Sequence, residues 1–554
     1  GENFLTQIDT ASVGVYDIAG IFLPTDTTFT SGAIRDLDAI AAWPKERLAR
    51  TSLASLLGLK YKSEKEIAPI INPVTVNGEQ IEAIKNACSS PISVVTGPPG
   101  TGKSQAIVSM AASIIADGGS VLVASKNHQA LDAVEDRLGG LAAETQFLVR
   151  TLNPSMNTDQ SIKDVLRELI ALAPGLYVPV DDFAFHELKE LSEKRSKILI
   201  DLKQIGRIEC EIADLQERIE IREKYTNSQK ATEVIAPVRK TGVFQGLLKW
   251  LSIIFSDRSF RQYQIENIAD QDKMGLSLKS LRTLVVKQRA QRAKISQTGD
   301  PVQISEDISK LTKELLPKIL AQRINFSEEE RVKLANLNDD IEFSGKKSPF
   351  PSDLTRSVIN HRPLWLASVL GTPKRIPLDD GLFDLVIFDE ASQCDIASAL
   401  PLFARAKRAV IVGDNKQLSF IAQIGQSQDR NLMQAQGLPV SRMGRYAQSK
   451  RSLFDFALRI QDVPKVLLRQ QYRSSGPIVD YISSEFYGGR LATAYDPNGL
   501  KLPKSQKPGI AWTDVPGPFA AENGNINSKE SSAITEHLAK LLVDEDYAGT
   551  VGVI

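Results

Sequence analysis

The stretch Gly97-Pro98-Pro99-Gly100-Thr101-Gly102-Lys103-Ser104 constrains this chain more than any other. It follows the short apolar run Ile92 to Thr96 and opens the helix-compatible segment Gln105 to Ala116, so it stands between a buried strand and a helix. Glycines let such a loop turn tightly enough for successive backbone N–H groups to face a phosphate, and the following helix adds its positive end. Lys103 supplies a point charge to the terminal phosphates of a nucleotide, and the Ser104 hydroxyl is placed to ligate Mg²⁺. The fold expected around it is α/β with a parallel sheet.

The rest of the chain repeats that grammar. Ser120 to Ala124 reads as a second buried strand ending in Ser125-Lys126-Asn127-His128, where Ser125 and Asn127 either hydrogen-bond a nucleic-acid backbone or cap the next helix. Upstream, the Gln80 amide offers a donor and an acceptor side by side, suited to adenine, although a solvated helix glutamine reads the same way. Phe383 to Asp389 is an apolar strand ending in two carboxylates. In a phosphate-loop enzyme Asp389 serves the metal and Glu390 polarises the attacking water; the bland alternative is a helix cap. Another strand, Ala409 to Val412, ends in Gly413-Asp414-Asn415-Lys416-Gln417-Leu418, an ordinary turn or a loop whose Gln417 reports the γ-phosphate. In Arg469-Gln470-Gln471-Tyr472-Arg473, Arg473 would stabilise charge on the γ-phosphoryl group and Tyr472 would stack on adenine, unless the two are a plain surface pair.

Between these halves the text turns helical. Leu188, Leu191, Ile198, Leu202, Ile205, Ile212, Leu215 and Ile219 recur at coiled-coil spacing. A second arm runs through Leu278, Leu281 and Val285, then Ile304, Ile308, Leu311 and Leu315, and an antiparallel pairing is expected. The apolar segment Val243 to Phe255 at the turn is too short to cross a membrane and reads as a packed tip or core helix, a docking patch for a protein partner, or a membrane contact. Charges such as Lys194-Arg195 and Glu328-Glu329-Glu330 read as solvated faces.

Lys+Arg and Asp+Glu are equal at 67 each, so any nucleic-acid site must be a local basic groove rather than a global field. Cys88, Cys210 and Cys394 are far apart and the four histidines scattered, which predicts no zinc site and a reducing, cytoplasmic setting. With 554 residues the chain exceeds one core. The expected division is an accessory region 1–71, a first lobe 72–181 resuming at 353–425, a helical insertion 182–352 and a second lobe 426–554. Ile510 to Thr513 and Val551 to Ile554 read as strands, and Ser528 to Val543 as a helix.

Taken together, Gln80, Gly97 to Ser104, Ser125 to Asn127, Asp389-Glu390-Ala391-Ser392-Gln393, Gly413 to Leu418, Gln471-Tyr472-Arg473 and Phe486 to Leu491 resemble superfamily 1B helicases of the nonsense-mediated-decay and Okazaki-flap-processing type. The resemblance implies two RecA-like parallel-sheet lobes, with ATP and Mg²⁺ between them. It also implies a single strand of DNA or RNA across their tops, moved 5′ to 3′, with DNA slightly favoured. On it, Gln80 and Tyr472 hold adenine, Lys103 and Ser104 the phosphates and metal, Asp389 the metal, Glu390 the water, and Gln417 and Arg473 the γ-phosphate. The sequence differs from that family at Ser419-Phe420 and at Ser474 to Pro477, and the family's last two motifs are expected beyond Ile554, leaving the second lobe incomplete.

Two rival readings stay open. One is a nucleotide-switched scaffold whose helical arm docks a partner. The other, an SMC-like coiled-coil ATPase, requires a Leu-Ser-Gly-Gly-Gln-like helix start before the acidic strand, which is absent between Ser352 and Asp389.

Overall fold

A computed structural model describes residues 28–61, 69–126, 128–140, 146–151, 160–172, 182–227, 278–295, 300–324, 327–343, 351–418, 420–422, 424–447, 449–494, 503, 510–517 and 527–553. Seven strands form its main sheet: β1 Ile92–Thr96, β2 Val121–Ser125, β3 Leu148–Thr151, β4 Leu364–Ser368, β5 Phe383–Asp389, β6 Ala406–Gly413 and β7 Lys465–Leu467. Their order is β3-β4-β2-β5-β6-β1-β7, and every pairing is parallel. The ends of β1, β5 and β6 therefore emerge at one edge, side by side, which is where such sheets bind ligands.

Continuous apolar strands suit a sheet covered on both faces, because alternate side chains must both find a core. Val95, Val123, Leu385 and Ile387 point into one core with Ile81 and Ile84 of the helix Gly78–Ser89 and Ile107 and Ile114 of the helix Lys103–Ala116. Val94, Leu122, Val386 and Phe388 point into the other, with Val165, Leu354, Phe403 and Phe454. The Phe388 and Phe403 rings stack there with centroids 4.6 Å apart.

The first region is more integrated than an accessory would be. Ile40, Leu53 and Leu56 belong to the second core, and Asp36 meets the fully buried Arg405 at 2.5 Å. The first lobe also extends past the expected boundary at 425. Leu453, Phe454 and Phe456 pack in its core, and β7 pairs with β1 from Val94↔Lys465 to Thr96↔Leu467. β7 thus adds to the main sheet although it follows Gln426 in the chain.

Of the second lobe, the described residues include β8 Gln470–Gln471 and β9 Ala492–Thr493, a parallel pair bracketing the helix Gly476–Tyr487. Residues 510–517 and 551–553 carry no regular structure, so the strands expected there are not formed; Trp512 is 90% exposed. The expected C-terminal helix is Ser528–Ala539, closing in a single π turn.

The insertion is built on the 46-residue helix Asp182–Asn227. Ile208, Ile212 and Leu215 pack against Leu281 and Val285 of the helix Leu278–Ala293. Arg292 reaches Glu209 at 2.9 Å and Gln288 reaches Glu211 at 2.6 Å, a crossing of indices that makes the pairing antiparallel. Nearer the lobe, Leu188, Ile198, Ile304, Ile308 and Leu315 leave the arm seam and join the lobe's own core. Glu328 to Glu330 are exposed, as expected, in the first turn of the helix Glu328–Phe343. Arg195 is the correction: it is fully buried, because Asn72, Ile70 and Ser305 supply acceptors for its guanidinium. The apolar stretch 243–255 lies outside the described residues.

Candidate nucleotide site

The phosphate loop leaves β1 and its shape depends on what surrounds it. A Cβ on Gly97 would sit 2.2 Å from Lys103 Cγ, so the lysine stem folds back over the glycine that begins the loop. Gly100 has φ +77°, and a Cβ there would lie 2.6 Å from Gln471 Nε2 and 2.7 Å from Arg473 Cβ. Thr101 is buried and braces the loop from within, donating to Pro98 O at 2.7 Å.

Gln80 also braces the loop. Its carbonyl accepts the Asn77 N–H at 2.9 Å while Asn77 Oδ1 accepts the Gln80 N–H at 2.9 Å, a reciprocal cap of the helix Gly78–Ser89. The Gln80 amide then donates to Thr101 O at 3.3 Å and Gly102 O at 3.2 Å. The side chain is 1% exposed and lies behind the loop, so the expected adenine contact has no open face in this arrangement. Asn77 faces the cavity instead, and its amide donates to Tyr472 Oη at 3.0 Å.

From β5 comes the acidic pair. Asp389 is 4% exposed; burial, reinforced by the neighbouring Glu390, pushes its carboxyl up to about 6, against the opposing pull of Lys103 and the Glu390 N–H. Glu390 takes a left-handed backbone conformation, φ 51° and ψ 42°, which costs a non-glycine residue about 1 kcal/mol or more. That turn directs its carboxylate to Lys103, with Nζ to Oε1 at 2.9 Å. Its other oxygen, Oε2, is buried and makes no hydrogen bond within the protein.

At the end of β6, Asp414 is fully buried. Its Oδ2 accepts from the Gln417 amide at 3.0 Å and from the Tyr487 hydroxyl at 2.6 Å, while Oδ1 accepts the Lys416 N–H at 3.0 Å. Burial and this acidic neighbour both raise the Tyr487 phenol, keeping it a donor.

The segment following β7 closes the cavity's far side. Arg469 donates to Glu79 through its backbone N–H at 2.6 Å and Nε at 2.5 Å. Gln471 accepts from the N–H groups of Arg473 at 2.9 Å and Ser474 at 2.7 Å, and donates to Pro99 O at 3.3 Å. The Tyr472 N–H donates to Gly100 O at 2.9 Å. Tyr472 and Arg473 are thus seated on the phosphate loop.

One cavity of about 650 Å³ gathers these groups: Pro98, Pro99, Gly100, Lys103, Ser104, Asp389, Glu390, Gln417, Tyr472 and Arg473 all line it. Gly102 lines it too, whereas Gly97, Thr101 and Gln80 support it from behind. Ser125 is fully buried at the end of β2, leaving no surface for the expected nucleic-acid contact, and Asn127 lies outside the described residues. Asn77 was legible as a cap from its spacing to Gln80. Gln471 stood in a marked segment without a role of its own, and the cavity-lining Arg137 and Val302 carried no local signal.

The donor set fits a magnesium nucleotide. Ser104 and Asp389 offer hard oxygen ligands, Lys103 a cation for phosphate, and the orphaned Glu390 oxygen an acceptor for a water proton. Among the described residues no group of three or more His, Cys, Asp and Glu side chains could hold a metal by itself. Nor is any described helix long and apolar enough to cross a membrane.

An AAA domain family model matches residues 75–421, and a second model, also described as an AAA domain, matches residues 449–554. The chain is 24% identical to the yeast Saccharomyces cerevisiae protein called Helicase SEN1 over 440 residues, 77% of this chain and 16% of that protein. It is 26% identical to an uncharacterized ATP-dependent helicase of Mycoplasma genitalium over 203 residues, 35% of this chain and 16% of the relative. A probable helicase with zinc finger domain from Danio rerio is 30% identical over 120 residues, 21% of this chain and 6% of the relative. The chain thus spans about a sixth or less of these relatives' lengths.

Proposed function

The chain belongs to the AAA-domain family of superfamily 1 helicases of the Sen1 type, and on that premise we propose that it is an ATP-hydrolysing motor driven along single-stranded nucleic acid. One observation carries this reading: residues from the ends of β1, β5 and β6 and from the segment after β7 line a single cavity. Bound Mg²⁺ would polarise the terminal phosphate. Lys103 and Ser104 bind phosphate and metal, and Asp389, ionised, orients the metal. Glu390 orients the attacking water and receives its proton. Arg473, exposed beside the loop, neutralises charge on the departing phosphoryl group.

Lys103 and Glu390 pair directly, Nζ to Oε1 at 2.9 Å. Phosphate competes for the ammonium, and releasing Glu390 frees it for water. Tyr472, on the same cavity wall, stacks on the base. Movement is 5′ to 3′ on a single strand of DNA or RNA, a direction supported by the resemblance of Asp389 to Gln393 and Gly413 to Leu418 to superfamily 1B.

The test is ATP turnover with and without matched single strands of DNA and RNA, followed by displacement of duplexes with 5′ or 3′ tails. Stimulation by single strands and unwinding from a 5′ tail are expected. Turnover indifferent to both strands would remove the motor reading.

A further inference from the structure

The helical insertion reaches the nucleotide cavity. Val302, second residue of the helix Pro301–Ile324, lines the cavity with Thr75, Val76, Asn77 and Tyr472 and is 60% exposed. Asp300 fixes the start of that helix: its Oδ1 accepts the Val302 N–H at 2.8 Å and its carbonyl accepts the Ile304 N–H at 3.1 Å.

The helix is also bonded to the chain that forms the cavity wall. The Asn72 amide donates to Ser305 O at 3.1 Å and to Val74 O at 2.9 Å, and Ser309 Oγ donates to Pro73 O at 3.1 Å. The first arm joins through Arg195, which donates to Asn72 Oδ1, to Ser305 Oγ at 3.3 Å and to Ile70 O at 2.6 Å. Both arms are therefore fastened to residues 70–74, which run directly into Thr75-Val76-Asn77. The same cavity wall carries apolar surface beside Val302: Val76 is a core residue and Tyr472 presents a ring that is 41% exposed.

We propose that the insertion supplies one wall of the base-binding end of the nucleotide site, with Val302 in apolar contact with the nucleobase. The proposal rests on the nucleotide reading above and adds a part of the chain outside the two lobes. Phosphate is held elsewhere in the cavity by Lys103 and Ser104, so a change at Val302 acts on the base-bearing part of the ligand alone.

Isothermal titration of the full chain with Mg²⁺-ADP and with Mg²⁺-tripolyphosphate, which has no base, tests this. Val302→Asp should weaken ADP about tenfold and Val302→Ala about threefold, with tripolyphosphate changed by less than about twofold. Val332→Asp, 49% exposed on another insertion helix, should change neither. Unchanged ADP affinity in Val302→Asp, or equal weakening of both ligands, overturns the wall. Failure of the wild-type chain to bind either ligand overturns the nucleotide reading and the wall with it.

Discussion

Lys103 and Glu390 form an ion pair with Nζ and Oε1 2.9 Å apart, both side chains mostly withdrawn from solvent. The cation proposed to bind phosphate and the carboxylate proposed to orient water thus pair with each other. Glu390→Gln should therefore keep or tighten nucleotide binding, since it releases Lys103, while lowering turnover about 10²- to 10³-fold. Lys103→Ala should lose binding and turnover together. Nucleotide titration beside steady-state ATPase separates the two, and near-wild-type turnover in both variants would dismiss these assignments.

Gly100 stands in the left-handed region with Gln471 and Arg473 against it. Gly100→Ala should lower stability by about 1–2 kcal/mol and weaken nucleotide binding, because the loop and the Tyr472–Arg473 segment cannot keep their contact. Denaturant unfolding and nucleotide titration of one preparation measure both effects; a variant indistinguishable from wild type contradicts the packing described.

Arg405 has no exposed surface, and Asp36 meets it at 2.5 Å. Burial lowers its pKa, and Asp36 opposes that effect. Asp36→Ala strands a buried guanidinium with only carbonyls from Ile376, Pro377 and Pro401, and should cost about 3 kcal/mol. Urea unfolding of the variant would show a clearly lower midpoint. A midpoint unchanged from wild type would mean that the Asp36–Arg405 pair does not hold the first region to the lobe.

His361 is 6% exposed, with Nδ1 2.6 Å from Arg323 O. Burial lowers its pKa below the ordinary 6.5, with the Arg323 carbonyl acting in the opposite direction. As pH falls through 6.5 the unfolded chain takes up a proton that the folded histidine refuses, so stability is lost toward lower pH. Asp389 acts with the opposite sign, gaining a proton in the folded chain near 6 that the unfolded chain takes only near 3.8. Thermal melts of wild type and His361→Asn between pH 7.5 and 5.5 isolate the histidine's share. The variant should show the shallower acid loss of melting temperature, and parallel slopes would refute the assignment.

Much of the cavity was legible because phosphate chemistry needs particular residues at strand ends. Lys103, Ser104, Asp389, Glu390, Gln417, Tyr472 and Arg473 were each marked by type and by an apolar run before them, and each lines the cavity. Gln80 was marked as well but packs behind the loop: the same amide that suits adenine also suits the Thr101 and Gly102 carbonyls. Arg195 misled for a related reason. A charge in a helical run reads as solvated until its acceptors, more than a hundred residues away in sequence, are known.

What the sequence determined by itself was local: a phosphate loop between strand and helix, an acidic strand end, a heptad-like arm, and the order in which they come. Tertiary structure decided the adjacencies. Parallel pairing placed β6 between β1 and β5 and drew β7 into the first sheet. Packing of the Pro301–Ile324 helix on the lobe's core brought Val302 to a cavity whose other walls come from residues 75–137 and 389–473. Periodicity and residue type fix which face of an element is apolar. They do not say which other element covers it, because burying apolar surface is non-directional and only the completed set of pairings selects the partner.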